Sequence, residues 1–250
     1  MSTLAVIPAR MESSRFFGKP LAKICGIPMI AHCYERALLC PEIDHAVVAT
    51  PNEEIMDYCR KNNIESIFTS PNHQRATERA QEVLNILDPK RQKIKKIILI
   101  QGDEPQTNPQ DCSKLLDSLN DQQSVCNLVF EIDKEHASDK NIVKAVIASN
   151  DEILFFSRSS VPHNGEHYFR QLGLIAFTAE SLDKYTSLVP TSFEVIESID
   201  MMRFLENRVS ITAVFSSCNI IGVDLMEHIS LVEKQFQNDK FIDLYKTKYA

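Results

Sequence analysis

Three short stretches carry residues that can do chemistry, and each follows an apolar run. The first is Pro8-Ala9-Arg10-Met11-Glu12-Ser13-Ser14-Arg15-Phe16-Phe17-Gly18-Lys19-Pro20-Leu21. Arginine grips phosphate oxygens in pairs, and small residues let backbone N–H groups close on an anion, so this segment suits a loop around a polyphosphate. The spacing is not G-x-x-x-x-G-K, because Ser13 stands where that pattern needs glycine. The second stretch is Gln101-Gly102-Asp103-Glu104-Pro105. A carboxylate at a strand end beside phosphates is how proteins hold Mg²⁺ through one or two oxygens. The third, Gly222-Val223-Asp224, offers a second acid that could complete a metal site with Asp103 across a sheet. Taken singly, each has a plainer reading: a solvated basic turn, an acidic turn, a helix N-cap.

Such loops need a frame, and the apolar pattern supplies one. Residues 4–7, 45–50, 64–69 and 96–101 read as short β-branched strands, and 28–39, 53–62 and 77–87 as helices between them. Strands with little polar alternation, separated by helices, predict a mostly parallel sheet covered on both faces. In open α/β sheets ligands bind beyond the carboxyl ends of the strands, where the first two motifs fall. Further strands are expected at 125–130, 142–148, 153–157, 172–177 and 210–215, with a hairpin turn at Asn150-Asp151. Helices are expected at 179–185, 193–206 and from Leu225 onward. With no repeat and no Gly/Ser-rich linker, the expectation is one domain over 1–250 with a smaller β-rich lobe around 125–200.

The bulk numbers narrow the class. A chain of 250 residues can bury a large core without staples, and 44% hydrophobic with 24% charged residues is ordinary globular usage. A net charge of -7 argues against a nucleic-acid binder. The odd count of 7 cysteines, with no C-x-x-C, gives no zinc or redox motif and suits reduced thiols in the cytoplasm. The apolar run at 4–7 is too short for a signal peptide, and no stretch approaches the roughly 20 apolar residues of a membrane helix.

PAR-x-x-SSR-x-x-GKPL, VVAT, TS-x-x-H-x-x-x-T-E-R, QGDEP, VKAV, FFSR-x-x-VP, F-E-x-x-E and GVD occur in that order over nearly the whole chain. Together they resemble the 3-deoxy-manno-octulosonate (Kdo) cytidylyltransferase family, which makes CMP-Kdo for bacterial lipopolysaccharide. The resemblance implies an α/β, GT-A-like nucleotide-diphospho-sugar transferase fold, a homodimer, Mg²⁺ dependence, CTP as donor and a 3-deoxy-ulosonic acid as acceptor. It implies Lys19, Arg15 and Asp103 as catalytic residues, and Asp103 and Asp224 as metal carboxylates. Ala9, Arg10, Ser14, Arg15, Lys19, Arg75, Ala76, Thr77, Arg79 and Asp103 would hold the nucleotide. Gln101, Lys144, Arg158, Gln171, Glu194, Glu197 and Asp200 would line the sugar site, with Arg158 on the sugar carboxylate. The implied reaction is in-line attack by the anomeric hydroxyl on the α-phosphorus of CTP.

Several positions depart from the family pattern. Phe16-Phe17 replace Leu-Pro, and Arg75-Ala76-Thr77 replace Ser-Gly-Thr. The family's His-x-Gly-Ile-Tyr is here Gln171-Leu172-Gly173-Leu174-Ile175, and its Leu-Glu-Gln is Ile199-Asp200-Met201. The phosphate and metal residues persist while sugar-reading groups change, and an unmatched buried polar group costs about 1–3 kcal/mol. Two acceptors are therefore weighed equally: Kdo reached through different side chains, or a variant such as 8-amino-Kdo or another 2-keto-3-deoxy acid. A catalytically impaired CTP or CMP-sugar binder is the alternative from another class. A GT-A glycosyltransferase would carry Asp-x-Asp, which QGDEP is not.

Overall fold

The computed structural model describes residues 2–12 and 16–249. Strand β1 (Ser2–Pro8) is buried along its whole interior, as expected for an apolar run covered on both faces. It lies between β4 (His45–Thr50) and β6 (Ile94–Ile100) and runs parallel to both. Beyond β4, β5 (Ser66–Phe68) continues the parallel side. On the other flank β10 (Tyr168–Thr178) runs antiparallel to β6 and to β7 (Val125–Ile132), and β11 (Thr212–Phe215) pairs parallel with β7. The order is β11-β7-β10-β6-β1-β4-β5, in a nine-stranded sheet. Its remaining strands, β8 (Lys144–Ile147) and β9 (Ile153–Ser157), form a hairpin attached to β10. The β-rich stretch after residue 125 therefore joins the same sheet. A small ribbon of β2 (Lys23–Ile24) and β3 (Ile27–Pro28) stands apart.

Alternate residues of a strand face opposite layers. Ala5 and Ile7 of β1 pack into the core formed with α1 (Met29–Leu38), α2 (Glu53–Lys61), α4 (Pro109–Ser118) and α9 (Glu227–Phe236). Leu4 and Val6 face the core built with α3 (Ala76–Leu87), α6 (Ala179–Ser187) and α8 (Met202–Glu206). A short α5 (Lys134–Ala137) follows β7.

Several elements differ from the sequence expectation, among them α5 and the β2–β3 ribbon, which were not expected. The helix expected over 193–206 is α7 (Ser192–Glu197) and α8, broken where Ser198 takes a left-handed φ of 56°. The break turns Arg203 back onto Glu194, with its Nε 2.7 Å from Glu194 Oε2. Helix α4 was not expected, although its start signals are local: Pro109 opens it and the Asn108 side chain accepts from the Gln110 N–H. Among the described residues no helix is long and apolar enough to cross a membrane.

Candidate active site

Because β1 and β6 are parallel neighbours, the loops leaving their carboxyl ends emerge side by side. Gly102 lets them touch: a Cβ built there would lie 2.6 Å from the Pro8 carbonyl oxygen. The Gly222-Val223-Asp224 segment is tied to this pair by the Val223 N–H, which donates to the Asp103 carbonyl at 2.8 Å. The three chemistry-bearing stretches of the sequence thus meet at one place.

Two cavities open there. The first, about 770 Å³, is walled by Ala9, Arg10 and Lys19 on one side and His73, Ala76 and Arg79 on the other. The second, about 740 Å³, is walled by Arg158, Arg170, Gln171 and the Glu131–Val143 stretch. Gln101, Asp103, Asp200 and Asp224 line both. At this junction the Lys19 ammonium stands 2.7 Å from Asp103 Oδ2 and 3.7 Å from Asp224 Oδ1. Two hard carboxylates converging on one cation fit Mg²⁺, which takes one or two carboxylates and completes its shell with phosphates and water. Among the described residues no group of three or more His, Cys, Asp or Glu gathers as a closed metal cage. An open, nucleotide-completed centre is the kind of site these donors can make.

Ala9, Arg10, Lys19, Arg75, Ala76, Arg79 and Asp103 line the first cavity. Ser14 and Arg15 lie outside the described residues. Arg79 is buried, and its guanidinium donates to Thr69 Oγ1 and to the Ser70 carbonyl, which shapes the loop before α3. One nucleotide assignment is corrected, that of Thr77. Arg75 reaches the cavity wall, but its guanidinium is engaged: Nε donates to Glu194 Oε1 at 3.2 Å, Nη1 to Ser198 Oγ at 3.1 Å and Nη2 to the Glu194 carbonyl at 3.1 Å. It fastens the start of α3 to α7. Thr77 is fully buried outside the cavity lining, and its hydroxyl donates to Asp200 Oδ2 at 3.0 Å. It orients Asp200, whose pKa burial raises against the pull of Arg75 and Thr77.

Of the residues expected at the sugar, Gln101, Arg158, Gln171 and Asp200 line the second cavity. Gln171 Nε2 donates to Asn127 Oδ1 at 2.6 Å, and that buried asparagine is itself anchored on the Leu172 and Leu174 carbonyls. Three expected sugar residues do other work. Lys144 is 0% exposed, and its ammonium donates to the carbonyls of Asp139, Ile142 and Arg158 at 2.7, 2.6 and 2.7 Å. Glu194, 1% exposed, is clasped by Arg203 and Arg75. Glu197 accepts from Ser157 Oγ and the Arg158 N–H, both at 2.8 Å, so it positions Arg158 rather than a substrate. Replacing Lys144 by Met is therefore expected to cost about 3 kcal/mol of stability, because three carbonyls lose a charged donor. A urea unfolding curve checks this, and the KM for CTP should stay unchanged.

Sequence reasoning passed over Glu104 and Arg170. Glu104 is buried behind Asp103; its Oε1 accepts from the Gly173 N–H at 3.1 Å, and its Oε2 has no hydrogen-bond partner among the described residues. Burial first, and the Asp103 charge next, push its carboxyl up to about 7. Arg170 supplies the opposing charge, while its own Nη2 donates to the Ile220 carbonyl. An arginine in the apolar run YFRQLGLIAF was the available signal for it. His228 also lines the second cavity and accepts from the Asp224 N–H at 3.2 Å, bracing that loop.

Known proteins resemble this chain in sequence and in fold. A family profile described as cytidylyltransferase matches residues 4–211. A 3-deoxy-manno-octulosonate cytidylyltransferase of Nitratidesulfovibrio vulgaris is 34% identical over 236 residues, covering 91% of this chain and 93% of its own. One from Chlorobium limicola is 35% identical over 247 residues, covering 95% and 98%. Among solved structures, CMP:2-keto-3-deoxy-manno-octonic acid synthetase complexed with CTP matches with a TM-score of 0.87 at 30% identity, covering 95% of this chain and 99% of its own. The 4-diphosphocytidyl-2C-methyl-D-erythritol synthase of Anaerococcus prevotii, at TM-score 0.65 and 14% identity over 95% and 99%, shares the fold.

Proposed function

The chain belongs to the 3-deoxy-manno-octulosonate cytidylyltransferase family, and from that premise we propose that it transfers CMP from CTP to Kdo and releases pyrophosphate. The observation that carries this reading is the junction: the two cavities share Gln101, Asp103, Asp200 and Asp224, so a donor in one and an acceptor in the other would meet at the aspartates.

In this reading Arg10, Lys19 and Arg79 face the nucleotide, and their cationic groups counter the triphosphate charge. Arg158 and Arg170 face the acceptor, where a guanidinium suits the sugar carboxylate. The acceptor's anomeric oxygen bonds to the α-phosphorus as the bond from that phosphorus to the bridging oxygen breaks. The electron pair leaves with pyrophosphate, and the hydroxyl proton passes to solvent. Positioning two anions in line is the main work, and no covalent enzyme intermediate is needed. Asp103 and Asp224 would hold Mg²⁺, which when bound supplies Lewis-acid stabilisation of the charge developing on the phosphate. Pyrophosphate release from CTP and Kdo is expected to stop on chelation with EDTA and return with added Mg²⁺. Release that persists without divalent metal would overturn the metal assignment, and CTP binding without any release would favour a binding protein.

An amino-substituted Kdo is the second reading, favoured by Glu131, Asp133 and Asp139 along the acceptor cavity. A panel of ulosonic acids assayed with CTP separates the two. We propose further that the enzyme is a homodimer, because α7 and its approach expose Val189, Val195 and Ile196 at 77%, 65% and 75%. Light scattering on the purified chain tests this. Its free cysteines support a cytoplasmic setting.

A further inference from the structure

We propose that Arg75 is a positioning residue for the acceptor, holding the bend at 198–200 so that Asp200 is aimed at the sugar. The inference rests on the transfer reaction proposed above and adds a residue that ties the two cavities together. Arg75 lines the first cavity, whereas Ser198, Ile199 and Asp200 line the second. Asp200 lines both.

The three guanidinium nitrogens reach this bend and the helix before it. Nε donates to Glu194 Oε1 at 3.2 Å, Nη2 to the Glu194 carbonyl at 3.1 Å and Nη1 to Ser198 Oγ at 3.1 Å. Ser198 has a φ of 56°, a left-handed backbone that costs energy in a residue with a Cβ. Such a bend needs an outside hold, and Arg75 supplies one on the serine side chain.

Two residues on, Asp200 is half anchored. Its Oδ2 accepts from the Thr77 hydroxyl at 3.0 Å and from the Thr77 N–H at 3.4 Å. Its Oδ1 faces Arg75 Nε at 3.7 Å, an ion pair too long for a hydrogen bond. One oxygen is thus fixed, and the other keeps its lone pairs for a donor in the cavity, which a sugar hydroxyl can be. Asp103 and Asp224 line the same two cavities, so a third carboxylate among them is favoured by a cation beside it. Arg75 is that cation. Its removal leaves Glu194 paired, because Arg203 Nε and Nη2 each stand 2.7 Å from that carboxylate.

The test is steady-state pyrophosphate release from CTP and Kdo by the full-length chain, each substrate varied with the other saturating. Arg75→Gln is expected to raise the KM for Kdo about tenfold, the scale of one charge-assisted hydrogen bond, and the KM for CTP by less than about twofold. Asp200→Asn should raise the KM for Kdo to a similar extent. Adding Arg75→Gln to that variant should raise it by less than about twofold more, because both changes act through one side chain. Effects that multiply in the double variant overturn the proposal, and so does a larger rise in the KM for CTP, which would make Arg75 a nucleotide ligand. Arg75→Lys keeps the charge without the planar fork and should raise the KM for Kdo by about threefold or more. A wild-type value there overturns the hold on the bend. Thermal melts show whether each chain is folded, and Arg75→Lys carries the test if Arg75→Gln is not. If the wild-type chain releases no pyrophosphate from CTP and Kdo, the transfer reading fails and this inference with it. If it turns over while Arg75→Gln keeps its KM for Kdo, only the role of Arg75 fails.

Discussion

Asp103→Asn is expected to lower kcat by about a thousandfold at saturating CTP, on the scale of removing one electrostatic stabiliser from a reacting phosphate. Asparagine keeps the shape of the side chain and its place at the junction of the two cavities, but removes its charge. Nucleotide binding measured without metal should change little, because the cations facing the nucleotide are untouched. The loss should therefore fall on turnover, and a pyrophosphate-release assay reads it directly. Near-normal turnover would take Asp103 out of the metal role and leave the shared wall of the cavities without its central charge.

Gly102→Ala is expected to reduce kcat by about a hundredfold, through displacement rather than loss of a functional group. The added methyl would sit 2.6 Å from the Pro8 carbonyl oxygen, and that neighbour is backbone at the end of a central strand, with no rotamer to yield. The loop carrying Asp103 must retreat from the loop carrying Lys19, which separates a pair now 2.7 Å apart. Overpacking of this kind also costs about 1–3 kcal/mol, so the urea midpoint should fall with the turnover. A variant that loses stability but keeps wild-type kcat would show that the spacing of these loops does not place Asp103.

Much of the frame was readable because its causes are local. HAVVAT and ILFFS became strands with the expected bounds, since β-branched and aromatic runs between turn residues have few other uses. The Asn150-Asp151 turn joins two antiparallel strands as expected, with Asp151 at a φ of 64°. The helix expected over 193–206 failed for a non-local reason. Its break serves the pairing of Glu194 with Arg203 and Arg75, and Arg75 comes from another helix start.

Charged residues in the motifs divide the same way. Lys19, Asp103 and Asp224 belong to loops that follow strands, and chain order with strand direction is enough to bring such loops to one edge. Lys144, Glu194 and Glu197 read equally well as pocket groups, yet their charges are satisfied inside the protein, by carbonyls, by guanidinium groups, and by a serine hydroxyl and the Arg158 N–H. Glu104 and Arg170 gave the reverse error: in the sequence they are an acid in a turn and a base in a strand, in the fold opposed charges under the reaction site.

What the sequence by itself determined is the succession of strands and the identity of the loops at their ends, because both follow from side-chain pattern over a few neighbouring residues. Only the tertiary structure decided which charges face the cavities and which neutralise one another. That choice depends on burial and on partners far along the chain, and a charge removed from water must find such a partner or remain at the surface.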